Sequence, residues 1–316
     1  MIRLSLVAIG AAFSLLLSLI PSIAENHQFP GEYGEVIHRS NEKSPNQLFI
    51  IGMSHRDSLT RLNGNRTSRV QAEVYKIGDW LVHDQGLQLL LPEGFFSKTP
   101  ARLQEKKVKT KAENGSKCGT DLSDMRAIEE RLSDNNIFVN AEMLLNERHH
   151  MRIRQIEDEK SYEAARSSVQ KLVNCGNNSR DYLAVKSELN YLQEKRTAAM
   201  LQRIPGVIDE EFRQGTIIAR KALFTIGMSH LHKIIEYLNK GRIKIFSPLI
   251  ASNESEDYIA DVNLLKEDFG ISIVIPRMLA NDQKILEMNK LDKIISRSRN
   301  MSTMMDLALQ PNLTSN

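Results

Sequence analysis

Short apolar runs alternate along this chain with longer segments whose apolar residues recur every three or four positions. The runs are rich in Ile, Leu and Phe and end close to a Gly or a Pro, which is typical of buried strands. They occupy residues 47–51, 87–91, 221–226, 243–246 and 271–275. Because the segments between them have the helical period, the pattern predicts an α/β fold.

The first β-α-β unit begins with the strand at residues 47–51. Thr67 or Ser68 can cap the following helix, which is predicted to run to about His83. The strand at residues 87–91 completes the unit. The two strands are therefore expected to be parallel and joined by a right-handed crossover.

The same order of strand, helix and strand recurs at residues 221–246. This repeat predicts two related β-α-β halves that form a central sheet, with an inserted helical region at about residues 121–216. A single domain over residues 47–298 would contain both halves, after a flexible lead-in at residues 25–46 and before a loose tail at residues 299–316. Within the insertion, the predicted helices are residues 122–132, 136–159, 162–173 and 181–203.

One seven-residue motif occurs twice, at Phe49–His55 and Phe224–His230, with six of seven positions identical. Each copy closes a predicted strand with Gly-Met-Ser-His. Since α/β sheets bind ligands outside the carboxyl ends of their strands, His55 and His230 are expected at one shared site. The alternative is a duplicated strand end without a chemical role, and the repeat of five consecutive residues favours the site.

An acid and an arginine are the further candidates for this site. Glu93 lies between Pro92 and Gly94 at the end of the second strand and should emerge at the same edge as His55. Arg196 continues an apolar helical stripe, and burial of an unpaired Arg costs several kcal/mol, so it needs an anionic partner or a polar cavity. Arg148 ends a similar stripe and competes with Arg196. The alternatives are a solvated loop acid and a structural ion pair.

Two histidines and one carboxylate with an open position make a divalent metal site that activates water. Glu93 would be a third ligand or the general base, and Arg196 would stabilise an oxyanion or hold a substrate carboxylate. A metal-free version uses a His as base with Glu93 orienting it. The alternative function is ligand binding without turnover, in which His55 and His230 would hold haem or another ligand such as a signalling peptide.

The N-terminus has the pattern of a secretory signal peptide. Arg3 precedes an apolar run over residues 4–20, and Ser22-Ile23-Ala24 predicts cleavage after Ala24. An uncleaved anchor is the alternative. With the signal peptide at residues 1–24 removed, no stable membrane span is expected, and the mature protein would be periplasmic or secreted.

Charge and cysteine content limit the partners. The formal net charge is +3 and the aromatic fraction is 6%, which favours neither nucleic acid nor a membrane surface as a partner. A peptide or a small molecule is the expected substrate. The chain has two cysteines, Cys118 and Cys175, and an oxidising compartment would allow them to form a disulfide.

The paired Gly-x-x-His motifs resemble those of the TraB/GumN/TIKI superfamily, whose relatives include erythromycin esterase-like and ChaN-like proteins. Glu93 matches the family acid, and Arg196 with Met200 fits the family's Arg-x-x-x-Met segment before the second motif. Arg148, whose nearest following Met is Met151, fits less well. The resemblance covers about residues 47–250.

The resemblance implies an α/β fold of two related halves and, for TIKI-like members, a protease that depends on a divalent ion such as manganese or cobalt. We therefore expect manganese, cobalt or zinc at His55, His230 and Glu93. Two features depart from the family, namely the Ser before each His and the long helical insertion. The superfamily also spans esterases, haem binders and conjugation regulators, so membership does not fix the reaction. The combined prediction is an exported metal-dependent hydrolase of peptide or amide bonds, and the alternative is a non-catalytic ligand-binding protein of the same fold.

Overall fold

A computed structural model of the 316-residue chain describes six segments. They are residues 29–54, 65–97, 124–133, 140–175, 180–248 and 257–309. The predicted signal peptide, His55 and Cys118 lie outside them. Among the described helices, none is long and apolar enough to cross a membrane.

The strands of the described segments form one six-stranded sheet and one two-stranded sheet. The strands are β1 (Gly34–Ser40), β2 (Asn46–Met53), β3 (Leu89–Pro92), β4 (Arg152–Ile153), β5 (Lys221–Gly227), β6 (Arg242–Ile245), β7 (Tyr258–Asp261) and β8 (Phe269–Pro276). The large sheet has the order β1-β8-β2-β5-β3-β4. Only β1 runs antiparallel to its neighbour, so the other five strands present their carboxyl ends at one edge.

Helices connect and cover these strands, which confirms the predicted α/β class. They are α1 (Asn65–Gln85), α2 (Met125–Ser133), α3 (Ala141–His149), α4 (Glu159–Asn174), α5 (Arg180–Arg213), α6 (Met228–Lys240), α7 (Asn263–Asp268), α8 (Arg277–Ala280), α9 (Gln283–Met288) and α10 (Asp292–Leu309). Local signals set several of their ends. Asp158 caps α4 by accepting from the Ser161 N–H, and Gly241, at φ 78°, ends α6.

The two faces of the sheet are covered by different helices. Gly52 of β2 faces Leu231 of α6, and the next residue, Met53, accepts a hydrogen bond from Gln71 of α1. Since successive strand residues point to opposite faces, α6 and α1 lie on opposite sides. Burial on both faces explains why the central strands are continuous apolar runs without alternation.

Gly52 allows α6 to pack closely on the sheet. A Cβ atom at this position would collide with Leu231 Cδ1 and lie 2.9 Å from Leu231 Cγ. Leu231 is completely buried, so it has little space to move aside. The Gly of the first motif therefore has a packing role, and it helps hold the second motif against β2.

The predicted lead-in and tail are both partly wrong. Residues 34–40 form β1, which pairs with β8 at the edge of the sheet. An edge strand with one exposed face carries polar residues, and these hid its periodicity. At the other end of the chain, α10 continues to Leu309, well beyond residue 298.

The predicted helix at residues 136–159 is also wrong. Helix α3 ends at His149, and the short strand β4 begins at Arg152. His150 adopts a left-handed conformation, with φ 53°, which ends the helix. The inserted region therefore contributes a strand to the sheet as well as helices.

The second β-α-β half does not repeat the first one in space. Strand β6 leaves the large sheet and pairs with β7 in the small sheet. Its residues alternate between exposed and buried, which suits a strand with one solvent face. Only β5 of the predicted second half joins the central sheet.

Replacing Gly52 by Ala should destabilise the protein by about 1–3 kcal/mol, because the added methyl overpacks the contact with Leu231. Gly206→Ala in α5 is the matched control. No heavy atom lies within 4 Å of a Cβ at Gly206, so the helical Ala should stabilise by up to about 1 kcal/mol. Urea denaturation of the three proteins measures both effects. Equal stability of Gly52→Ala and the wild type would contradict the packing role.

Candidate active site at the carboxyl edge of the sheet

Four polar or charged side chains converge where the parallel strands end. Glu93 directly follows β3, Glu157 lies after β4, and His230 lies in the first turn of α6 directly after β5. Arg196 reaches them from α5. This edge is where parallel α/β sheets bind ligands, so the fold places the group in a functional position.

Backbone groups hold both carboxylates. The Glu93 N–H donates to Thr225 O at 2.9 Å, and Glu93 Oε2 accepts from the Gly227 N–H at 2.8 Å. The Gly94 N–H donates to Glu157 Oε2 at 3.0 Å. Gly94 has φ +72°, a left-handed conformation that a glycine adopts without strain. Main-chain N–H groups of Gly227 and Gly94 thus hold the two carboxylates.

Arg196 is buried between the two acids. Its Nη2 lies 3.1 Å from Glu93 Oε1, and its Nε donates to Glu157 Oε1. The guanidinium also lies over the Tyr162 ring, 5.1 Å from the centroid. Burial alone would lower the pKa of Arg196, but the hydrogen bonds and charges of Glu157 and Glu93 outweigh it and raise the pKa. Arg196 is therefore a fixed positive charge.

His230 is buried and held through its Nδ1 atom. Nδ1 lies 2.6 Å from Thr197 Oγ1, and that hydroxyl donates its hydrogen to Gln193 O at 2.7 Å. A hydroxyl has one hydrogen to donate, so Thr197 accepts from the Nδ1–H of His230. This contact orients the ring and leaves Nε2 facing Glu93 Oε1 at 3.4 Å.

The contact between His230 and Glu93 decides what the group can bind. Nε2 of His230 faces Glu93 Oε1 across 3.4 Å in a buried site. Such a pair is favourable only with a positive species between the atoms, either a proton on Nε2 or a metal ion.

Sequence reasoning placed Glu93, Arg196 and His230 in one site, and the structure brings these three together. Arg148, the competing candidate, lies exposed on α3. His55 lies outside the described residues, and its role stays a prediction; β2, the strand before it, ends at Met53 at the same edge.

Two site residues were not predicted. Glu157 lay within a segment interpreted as helix, so its position after a strand was hidden. Thr197 follows Arg196 directly, and no local pattern marks it as the partner of His230. The available signal in the sequence was that Thr197 is a polar residue next to an Arg that was expected to be buried.

A cavity of about 370 Å³ lies beside α5, α6 and β6. It begins one helical turn beyond His230, at Lys233, and its charged side chains are paired. Lys233 lies 3.2 Å from Glu194 Oε1, and the Tyr237 hydroxyl donates to Glu194 Oε2 at 3.0 Å. The lining is therefore polar with little unbalanced charge.

A second group of potential metal ligands lies elsewhere. Asp79, His83 and His149 each offer one ligand atom, and these atoms lie within 4.8 Å of one another. The group could hold a metal ion. It was not predicted from the sequence, since only the spacing of Asp79 and His83 on α1 is a local signal.

No protein family, curated protein or solved structure that was compared with this chain matches it. The similarity to the TraB/GumN/TIKI superfamily thus rests on the motifs alone.

Replacing Arg196 by Leu should destabilise the protein by about 3–5 kcal/mol, because Glu93 and Glu157 would stay buried without their counter-charge. Arg203→Leu on the same helix is the control. Arg203 is exposed and donates to Ile156 O at 3.3 Å, so its loss should cost at most about 1 kcal/mol. Denaturant unfolding of both variants tests this, and equal losses would contradict a buried ion-pair network.

Proposed function

We propose that this chain is an exported metal-dependent hydrolase of the TraB/GumN/TIKI type that cleaves peptide or amide bonds. One observation carries the proposal: Nε2 of buried His230 faces Glu93 Oε1 at 3.4 Å, while its Nδ1 contacts Thr197. Both facing atoms are of the kind that ligate metals, and a divalent ion would bind between them.

The spacing of the two atoms supports a shared ion. Metal–ligand bonds of about 2.0–2.1 Å at tetrahedral angles place neighbouring ligand atoms about 3.3 Å apart. His230 Nε2 and Glu93 Oε1 are 3.4 Å apart. The contact of Nδ1 with Thr197 is the outer contact that ligating histidines usually make, because it orients the ring and fixes the tautomer. His55 is the predicted third ligand.

A divalent ion in this position supplies a bound water whose pKa is lowered towards ~7, and it polarises a carbonyl oxygen. Manganese, cobalt and zinc are the candidates. The protein holds Glu93 in place through the Gly227 N–H, so the carboxylate cannot rotate away from His230. This preorganisation reduces the cost of reaching the reactive geometry.

Arg196 is placed to stabilise negative charge that develops during hydrolysis. Of its five N–H groups, the described contacts use three, to Glu157, Glu93 and Gln193. Two N–H groups therefore remain for an oxyanion next to the ion. Because two carboxylates hold the guanidinium, it needs no rearrangement when the charge forms.

The cavity beside α5 and α6, whose lining does not include the four site residues, would suit a polar, uncharged chain. Its charged side chains balance one another, as Lys233 does with Glu194 and Glu236. A peptide backbone offers the neutral hydrogen-bonding groups that such a lining accepts. This feature favours peptide over strongly anionic substrates.

Metal content and hydrolysis of the mature chain, residues 25–316, test the proposal. In His230→Ala and in the double variant His55→Ala/His230→Ala, the site should lose its ion, and cleavage of a peptide library should fall by at least about 100-fold. His232→Ala on the same helix is the control and should keep both. If the double variant retains full metal binding and hydrolysis, the proposal is wrong. Stoichiometric ligand uptake without any product would indicate the non-catalytic alternative.

Thr197→Val should weaken metal binding at His230 by about 10–100-fold, because the Nδ1–H loses its acceptor and the ring its orientation. Thr197→Ser keeps the hydroxyl and should bind nearly as the wild type does. Competition with a chelator of known affinity measures both. Equal affinities for the Val and Ser variants would show that Thr197 does not position the ligand.

A further inference from the structure

A cluster of two histidines and one aspartate bridges α1 and α3. Asp79 and His83 lie one turn apart on α1, and His149 is the last residue of α3. His149 Nε2 lies 2.7 Å from Asp79 Oδ1, and His83 Nδ1 lies 3.8 Å from the same oxygen. The two imidazole rings meet edge to face with centroids 5.2 Å apart.

Close packing of the two helices creates the cluster. A Cβ at Gly78 would collide with Leu145 of α3, so only a glycine allows this approach. Gly78 directly precedes Asp79, and Leu145 lies one turn before His149. The contact therefore brings His149 over the Asp79–His83 pair.

The cluster is separate from the proposed hydrolase site. His83 lies six residues before the start of β3, and His149 lies three residues before the start of β4. Both histidines are thus near the amino edge of the sheet, whereas Glu93 and His230 lie at the carboxyl edge. An ion in one group does not share ligands with the other.

We propose that Asp79, His83 and His149 bind one transition-metal ion such as Zn²⁺, which links helix α1 to helix α3. Two imidazoles and one carboxylate suit Zn²⁺, Co²⁺, Ni²⁺ or Cu²⁺, whereas Mg²⁺ and Ca²⁺ prefer oxygen ligands. Ligand residues four apart on one helix face are a common metal-binding arrangement. Among the described ion pairs, Asp79 has the two histidines as its partners.

The geometry needs small adjustments to accept an ion. Tetrahedral ligand atoms lie about 3.3 Å apart, so the Asp79–His149 distance of 2.7 Å must open and the Asp79–His83 distance of 3.8 Å must close, each by about half an ångström. His83 Nδ1 also lies 2.8 Å from the Asp79 carbonyl oxygen, and an ion would replace this contact. The His83 side chain is 63% exposed and can turn to do so. Its exposure also leaves the fourth coordination position to water.

An ion that joins the two helices stabilises the folded state, because the three ligands converge only after α1 and α3 have packed. This role is structural, and it requires no turnover. It predicts that the ion raises the thermal stability of the protein whether or not the other edge of the sheet is catalytic.

The test consists of two titrations of the mature chain. Calorimetry measures the binding of Zn²⁺, and the visible absorption of bound cobalt measures the binding of Co²⁺. His83→Ala and His149→Gln should each lower the stoichiometry by about one ion and abolish the metal-induced rise in Tm. His150→Asn is the matched control. It removes the neighbouring exposed imidazole, and Asn tolerates the left-handed backbone at φ 53°.

The double variant His55→Ala/His230→Ala separates this site from the proposed hydrolase centre. It should still bind about one Zn²⁺ ion and gain thermal stability from it. The inference is overturned if the double variant binds no Zn²⁺, or if His83→Ala and His149→Gln bind as many ions as His150→Asn.

Discussion

The buried ion pairs of Arg196 are the interaction on which the candidate site depends. Arg196 joins helix α5 to the loops after β3 and β4 through Glu93 and Glu157. That attachment places Thr197 beside His230, and so it sets which imidazole nitrogen faces the carboxylate. Each carboxylate also accepts from a backbone N–H group, which restricts its rotation towards solvent. The network is thus costly to bury and costly to break, which favours a single arrangement.

Much of the fold and part of the site were predictable because their signals are local. Apolar runs that end at Gly or Pro marked β2, β3 and β5, and parallel strands bring Glu93 and His230 to one edge. Arg196 was found because a charge on an apolar stripe needs a partner. The partner Glu157 was hidden, since β4 has only two residues and lies within a helical pattern. Strand β6 was misplaced because pairing with β7 depends on residues distant in sequence.

The two groups of candidate metal ligands illustrate two ways in which a fold can assemble a site. At the carboxyl edge, the Gly227 N–H holds Glu93 and the Thr197 hydroxyl holds His230. At the amino edge, helix packing at Gly78 brings His149 to Asp79, and the His83 side chain stays exposed. The first arrangement is rigid and buried, which suits the proposed hydrolase. The second arrangement is less rigid and suits a metal ion that links two helices.

A diffraction experiment tests the central claim most directly. Crystals of residues 25–316 soaked with Co²⁺ would be measured on both sides of the cobalt absorption edge. The account predicts an anomalous peak about 2 Å from both His230 Nε2 and Glu93 Oε1. Absence of that peak, together with a direct hydrogen bond from His230 Nε2 to Glu93 Oε1, would show that a proton and not a metal ion joins the two atoms, and would contradict the metal-dependent mechanism.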